Sequence, residues 1–223
     1  MSFIAEPLGR LLLMVYGIVG NYGIAIIIFT ILVKMIMIPL TIKQTKSMKN
    51  MQEIQPKIKE IQKKYQNDKE KMNEKVMELY KEHNVNPFGG CLPLLIQFPI
   101  IIGLFTVLRQ PENYGIAQEI VEAGFLWMPS LSAPDPWILP VLAGATTYLS
   151  SKTMSSAKGA GGQQESMQKM MLYFFPLMIF WWGRSFPAGL TLYWVVSNLF
   201  QTVQQLAIHR PASLLPHKGS EAK

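Results

Sequence analysis

Apolar residues run almost without interruption from Gly23 to Ile42 and stop at Lys43. A helix of that length is about 30 Å long, the thickness of a bilayer's hydrocarbon core. One charge breaks the run, Lys34, just past its middle. An ammonium at that depth costs about 2.5–3.5 kcal/mol on insertion scales, so an intramembrane lysine is by default a functional candidate. The rest of the pattern has to explain what it serves.

Upstream, in residues 1–22, Ile4, Leu8, Leu11, Leu12, Val15, Ile18 and Val19 recur at three- and four-residue steps around Arg10. This spacing predicts an amphipathic helix lying in the membrane interface. The core of a cleaved signal peptide is the alternative, but only Gly20-Asn21-Tyr22-Gly23 follows where a small-residue cleavage site would stand.

Beyond Ile42 the pattern changes. Residues 43–84 hold eleven lysines and seven acids, a net of +4. Apolar positions at 48, 51, 54, 58, 61 and 65, then at 72, 76 and 79 or 80, predict two amphipathic helices turning at Asn67-Asp68. The expected form is an antiparallel hairpin with a thin apolar seam, kinked or restarted at Pro56. Asn86-Pro87-Phe88-Gly89-Gly90 is a break. A second span follows at 91–108, with Pro93, Pro99 and Gly103, and with Gln97 as its one strongly polar side chain. Residues 109–135 form a loop of net charge −3, in which 120–128 are apolar enough to dip into the interface. A third, short span covers 137–151. A flexible Ser/Gly/Gln segment covers 152–168. The next forty residues are too long for one crossing, and Arg184-Ser185-Phe186-Pro187-Ala188-Gly189 cuts them into spans four (169–184) and five (187–208). A short basic tail, 209–223, ends the chain.

Composition agrees with a polytopic membrane protein: of 223 residues, 49% are hydrophobic and 16% charged, well below the roughly 25% charged of soluble domains. The net charge is +7, and its distribution sets orientation. Lysine-rich loops stay inside, which places 43–84, 152–168 and the tail in the cytoplasm and the acidic loop outside. The expected fold is therefore an all-α polytopic membrane protein: five transmembrane helices, N-terminus out and C-terminus in, with a cytoplasmic helical hairpin and an extracytoplasmic interfacial helix.

Candidate chemistry is limited. Cys91 is the single cysteine, and His83, His209 and His217 are scattered over polar segments, so no metal-ligand spacing and no cofactor are expected. There is no nucleotide motif, no nucleic-acid site, and no nucleophile or carboxylate pair within a span. An enzyme is not expected.

With the topology fixed, the polar residues of the spans fall on one side. Lys34 lies in the inner half of span one, with Thr30 one turn away on the same face. Gln97 lies in the inner half of span two. Thr146, Thr147, Ser150 and Ser151 close span three at its inner end. Tyr193, Ser197, Gln201 and Gln205 repeat every fourth residue of span five, with Asn198 and Gln204 beside them. The outer halves hold almost nothing polar beyond Thr106. This asymmetry predicts a wet cavity open to the cytoplasm and closed by an apolar outer plug. A through-channel would be polar along its whole length. The alternatives are that these side chains are interhelical packing contacts and that Lys34 snorkels to the inner interface.

Four blocks carry a resemblance over nearly the whole chain. They are Ile27-Ile28-Phe29-Thr30-Ile31-Leu32-Val33-Lys34-Met35-Ile36-Met37-Ile38-Pro39-Leu40-Thr41-Ile42-Lys43-Gln44, Met51-Gln52-Glu53-Ile54-Gln55-Pro56-Lys57-Ile58, Asn86-Pro87 with Gly90-Cys91-Leu92-Pro93-Leu94-Leu95-Ile96-Gln97-Phe98-Pro99, and Phe186-Pro187-Ala188-Gly189-Leu190-Thr191-Leu192-Tyr193-Trp194-Val195-Val196-Ser197-Asn198. In this order they resemble the YidC family of membrane protein insertases, in its compact Gram-positive-type form. The resemblance implies insertion of newly made membrane proteins into the bacterial cell membrane, alone or beside the Sec translocon, through a hydrophilic groove open to cytoplasm and lipid. In the family an arginine of the first span draws the acidic, translocated tail of a substrate into the groove. Lys34 stands at the matching position, keeping the charge without the bidentate fork. The family's substrate-segment contacts fall on Tyr193 and Trp194. The expected groove set is Lys34, Thr30, Gln97, Thr147, Ser150, Ser197, Asn198 and Gln201. The hairpin is expected to cap the groove or to dock nascent chain, ribosome or targeting receptor, with lipid contact through its lysines as the alternative. From other function classes, a small-solute or ion transporter and an assembly chaperone without insertion activity remain as alternatives.

Overall fold

The structure is a computed structural model describing residues 2–85, 92–154 and 169–208. Among these residues the regular elements are all helical, and the one β-type pairing is an isolated bridge between Phe125 and Met128. The predicted break at 86–90, most of the 152–168 segment and the 209–223 tail lie outside the described residues.

The first helix, α1 (Ser2–Val19), folds back onto the second, α2 (Tyr22–Lys64). Asn21 caps α2, its side chain accepting from the Ile24 amide at 3.0 Å. Helix α2 runs through both places where the pattern predicts a change, the apolar-to-charged boundary at Lys43 and Pro56. A change of polarity alters what surrounds a helix but leaves its backbone ladder intact. A proline removes one hydrogen bond from that ladder, and here the helix continues past it. At about 65 Å it is far longer than one crossing needs. It also contains the described window that is long and apolar enough to span a bilayer, while Leu95–Arg109 and Met170–Gly183 are apolar but shorter. After a turn at 65–68, α3 (Lys69–Glu82) packs back on the charged half of α2 through Ile54, Ile58, Leu79 and Val85.

Helix α4 (Leu92–Arg109) lies against α1. A 3₁₀ turn (Pro111–Tyr114) and short α5 (Gln118–Glu122) lead to α6 (Ile138–Met154). Helix α7 (Phe175–Gly183) is preceded by a π-turn over Met170–Phe174, in which the Phe175 amide reaches back to the Met170 carbonyl. Helix α8 (Ala188–Ile208) is the hub, packed between α2 and α6. It approaches α2 and α4 closely at Gly189, where a Cβ would stand 3.1 Å from Ile26 Cδ1 and 3.2 Å from Leu108 Cδ2. The core fills with Ile26, Phe29, Leu104, Leu108, Leu139 and Tyr193, all essentially inaccessible.

One end of the bundle is sealed by the segment between α4 and α6. The Leu131 and Ala133 carbonyls accept from the Gly189 and Ala188 amides at 2.9 Å each. The Phe125 ring sits on Gly23. Asp135 is buried and caps α6, accepting from the Trp137 and Leu139 amides at 2.9 and 3.2 Å and from Trp127 Nε1 at 2.7 Å. The long half of α2 and α3 project from the other end.

Candidate functional site

Lys34 is 8% exposed. Its Nζ donates to Gln97 Oε1 of α4 at 3.2 Å. Gln97 Nε2 donates in turn to the Tyr193 hydroxyl of α8 at 2.5 Å. Ser197, one turn along α8, hydrogen-bonds the same Tyr193 side chain. Three helices are joined by one chain of polar groups running from the lone charge in the apolar stretch of α2. The ammonium therefore points into the bundle, and snorkelling along the outside is not how this lysine is accommodated. No ion pair is made by Lys34 among the described residues. Gln97 takes one of its three donors.

A second set joins α6 to α8. Thr147 Oγ1 accepts from Trp194 Nε1 at 3.0 Å and from Asn198 Nδ2 at 2.8 Å, while donating its own proton to the Ala143 carbonyl at 2.6 Å. Asn198 also reaches Thr146 Oγ1 at 3.5 Å. The two donors stand four apart on α8, so one acceptor on α6 serves a single stripe. A third contact joins α2 to α8 near the projecting arm, Thr45 Oγ1 donating to Gln205 Oε1 at 3.3 Å.

The predicted residues are thus brought together in part. Lys34, Gln97, Tyr193 and Ser197 form one network, and Thr147, Trp194 and Asn198 the other. Thr30 is fully buried and donates to its own helix at Ile26 O, 2.6 Å away. Ser150 is buried and Gln201 half-buried. Sequence reasoning did not single out Thr45, which lies past the predicted end of span one. It counted Asp135 only as loop charge, though its capping position two residues before Trp137 was a usable signal. The polar set is largely inside the bundle in this form. The open groove beside it, about 570 Å³ between α1, α2 and α4, is apolar, with Val33, Ile36, Leu95 and Pro99 in its wall.

On the projecting arm, Lys57 Nζ lies 2.9 Å from His83 Nε2, tying α2 to α3. Lys75 pairs with Glu78, whose hydrogen bond and charge hold the ammonium pKa above its ordinary value. Among the described residues no group of three or more His, Cys, Asp or Glu side chains could hold a metal ion.

Comparison with known proteins adds an independent line. Residues 14–214 match the sequence model of the 60Kd inner membrane protein family. The chain is 47% identical over 191 residues to a membrane protein insertase YidC of Fusobacterium nucleatum, covering 85% of this chain and 87% of that one. It is 44% identical over 216 residues to the YidC of Caldanaerobacter subterraneus, covering 96% and 98%. A match to the YidC of Geobacter sp. strain M21 is 42% identical and covers 93% of this chain but 37% of that longer protein. Among solved structures, a crystal structure of active YidC insertase with its first transmembrane domain resolved superposes with a TM-score of 0.69 at 29% identity, over 94% of this chain and 47% of that one.

Proposed function

This chain belongs to the YidC family of membrane protein insertases, and from that premise we propose that it inserts newly made membrane proteins by lending a substrate's polar tail the partners of its buried polar network. The observation that carries the reading is Lys34: a cation enclosed by three helices, hydrogen-bonded to an amide, with no ion-pair partner among the described residues. Burying a charge costs heavily unless it is paired. A substrate carboxylate would supply the missing partner.

In this reading the five helices α2, α4, α6, α7 and α8 span the bacterial cell membrane, with N-terminus outside and C-terminus in the cytoplasm. The arm of α2 and α3 stands in the cytoplasm, where it receives nascent chain and docks a ribosome or targeting receptor. The Sec translocon is a further candidate partner. A tail entering from the cytoplasm meets Gln201 and Ser150, then exchanges into the hydrogen bonds now made by Ser197, Asn198, Thr147 and Gln97. The closed network opens into a hydrophilic groove, which the tail and water fill together. Lys34 neutralises the tail's carboxylates. Each polar group so accommodated is spared a cost of several kcal/mol at mid-membrane. The substrate's apolar segment moves past Tyr193 and Trp194 into lipid, and its partition into lipid drives the step. The reaction breaks no covalent bond.

The test is insertion of a single-span substrate with an acidic N-terminal tail into liposomes containing only this protein, scored by protection from added protease. Protected tail in these liposomes and none in empty ones supports the reading. Solute flux without protected tail would make the chain a transporter, and failure of the protein alone would make it an accessory chaperone.

A further inference from the structure

At the sealed end of the bundle Arg184 lies against two of the chain's five tryptophans, Trp137 and Trp181. The Arg184 guanidinium carbon lies over the Trp137 ring at 4.3 Å from its centroid and near the Trp181 ring at 5.7 Å. Trp137 and Trp181 are 57% and 66% exposed, so the stack is at the molecular surface. Asp135, two residues before Trp137, is buried and turned to Trp127 and the start of α6. Arg184 makes no ion pair among the described residues.

Stacking occupies the faces of a guanidinium and leaves its in-plane N–H edge available. That edge is the fork that fits phosphate oxygens bidentately. Exposed tryptophans mark the headgroup level of a bilayer. Below Arg184 the surface of α6 and α7 is apolar, with Ile138, Val141 and Leu177 each about half exposed or more. A phosphate at Arg184 would thus have acyl chains hanging along a surface made for them.

We propose that Arg184, stacked on Trp137 with Trp181 beside it, is a binding site for the phosphate of one phospholipid at the sealed face of the protein. This rests on the membrane reading above, and the leaflet, the outer one, rests on the proposed orientation. The site ties the short α6 and α7 to the headgroup layer at a fixed depth. Helix α6 has 17 residues, about 25 Å, so a lipid held at its end draws the bilayer thin beside the helix.

The experiment is native mass spectrometry of the full chain released from detergent, with phosphatidylglycerol, with diacylglycerol of the same acyl chains, or with inorganic phosphate. The wild type is expected to keep one phosphatidylglycerol at collision energies that strip all others. Arg184→Gln should lower that retention about tenfold or more, the size of a lost charge-assisted hydrogen bond. Arg184→Lys should restore part of it, and Lys34→Gln should leave it at wild-type level. Equal retention by wild type and Arg184→Gln overturns the proposal, as does equal retention of diacylglycerol or a phosphate adduct without lipid. No substrate is present in the assay, so its failure and a failure of insertion are read separately.

Discussion

Lys34 and Gln97, 63 residues apart in the chain, meet at 3.2 Å and join α2 to α4 at the one charge in the apolar stretch of α2. Gln97 is oriented in turn by the Tyr193 hydroxyl. The amide oxygen therefore holds the ammonium in place without neutralising it. That distinction between holding a charge and cancelling it generates the first prediction.

Gln97→Glu would set a carboxylate where the amide now stands. The bundle should be as stable as wild type or more so, since Lys34 would gain an ion partner. Insertion of an acidic tail should fall about tenfold, because a carboxylate already in place competes with the substrate's for one charged hydrogen bond. Thermal unfolding in detergent and protease protection, measured on the same preparation, separate the two effects.

Thr147 accepts from both Trp194 and Asn198. Thr147→Val keeps the volume, strands the Trp194 donor and leaves Asn198 only its 3.5 Å contact with Thr146, so a destabilisation of about 1–3 kcal/mol is expected. Asn198→Leu removes one donor as well as its need. In a double-mutant cycle the pair should cost clearly less than the sum of the single changes. Additive costs would mean that Asn198 and Thr147 are not coupled.

The Phe125 ring occupies the space a side chain at Gly23 would need. Gly23→Ala should lower the unfolding temperature by displacing the segment over the sealed end. Phe125→Ala in the same chain should return part of the loss, by leaving room for the new methyl group. A double variant as unstable as Gly23→Ala alone would mean that the strain lies elsewhere.

Ile54, Ile58, Leu79 and Val85 form a core of their own, apart from that of the bundle. Leu79→Ala should cost about 2–5 kcal/mol if the site were in a large core, but here it should be felt only in the arm. Hydrogen exchange should rise over residues 69–85 and stay unchanged at 188–208, as expected of an independent unfolding unit.

What could be read in the sequence followed from periodicity and from cost. Lys34 stands out because a charge in an apolar run is expensive, and Tyr193 with Ser197 because four-residue spacing puts them on one stripe, whereas Trp194 entered only through the family resemblance. Their partners were not legible, because whether Gln97 or Ser150 meets Lys34 depends on which helices approach, and that is set by contacts such as Gly189 against Ile26 and Leu108. Thr45 was missed because the hydrophobic pattern ends three residues earlier while the helix does not. Arg184 reads in sequence as part of a span break. Only its position over Trp137 and beside Trp181 makes it a candidate site.

The charge on Lys34 is the centre of the account, and the most direct measurement compares wild type with Lys34→Arg, Lys34→Gln and Lys34→Glu in liposomes. Each would be given a substrate with an acidic tail and the same substrate with the acids changed to amides. Lys34→Arg should match wild type, and Lys34→Gln and Lys34→Glu should lose the acidic tail by about ten- to a hundredfold, the effect of one charge-assisted contact of about 1.5–3 kcal/mol. The four proteins should differ far less on the neutral tail. Equal insertion of the acidic tail by all four proteins would contradict the account.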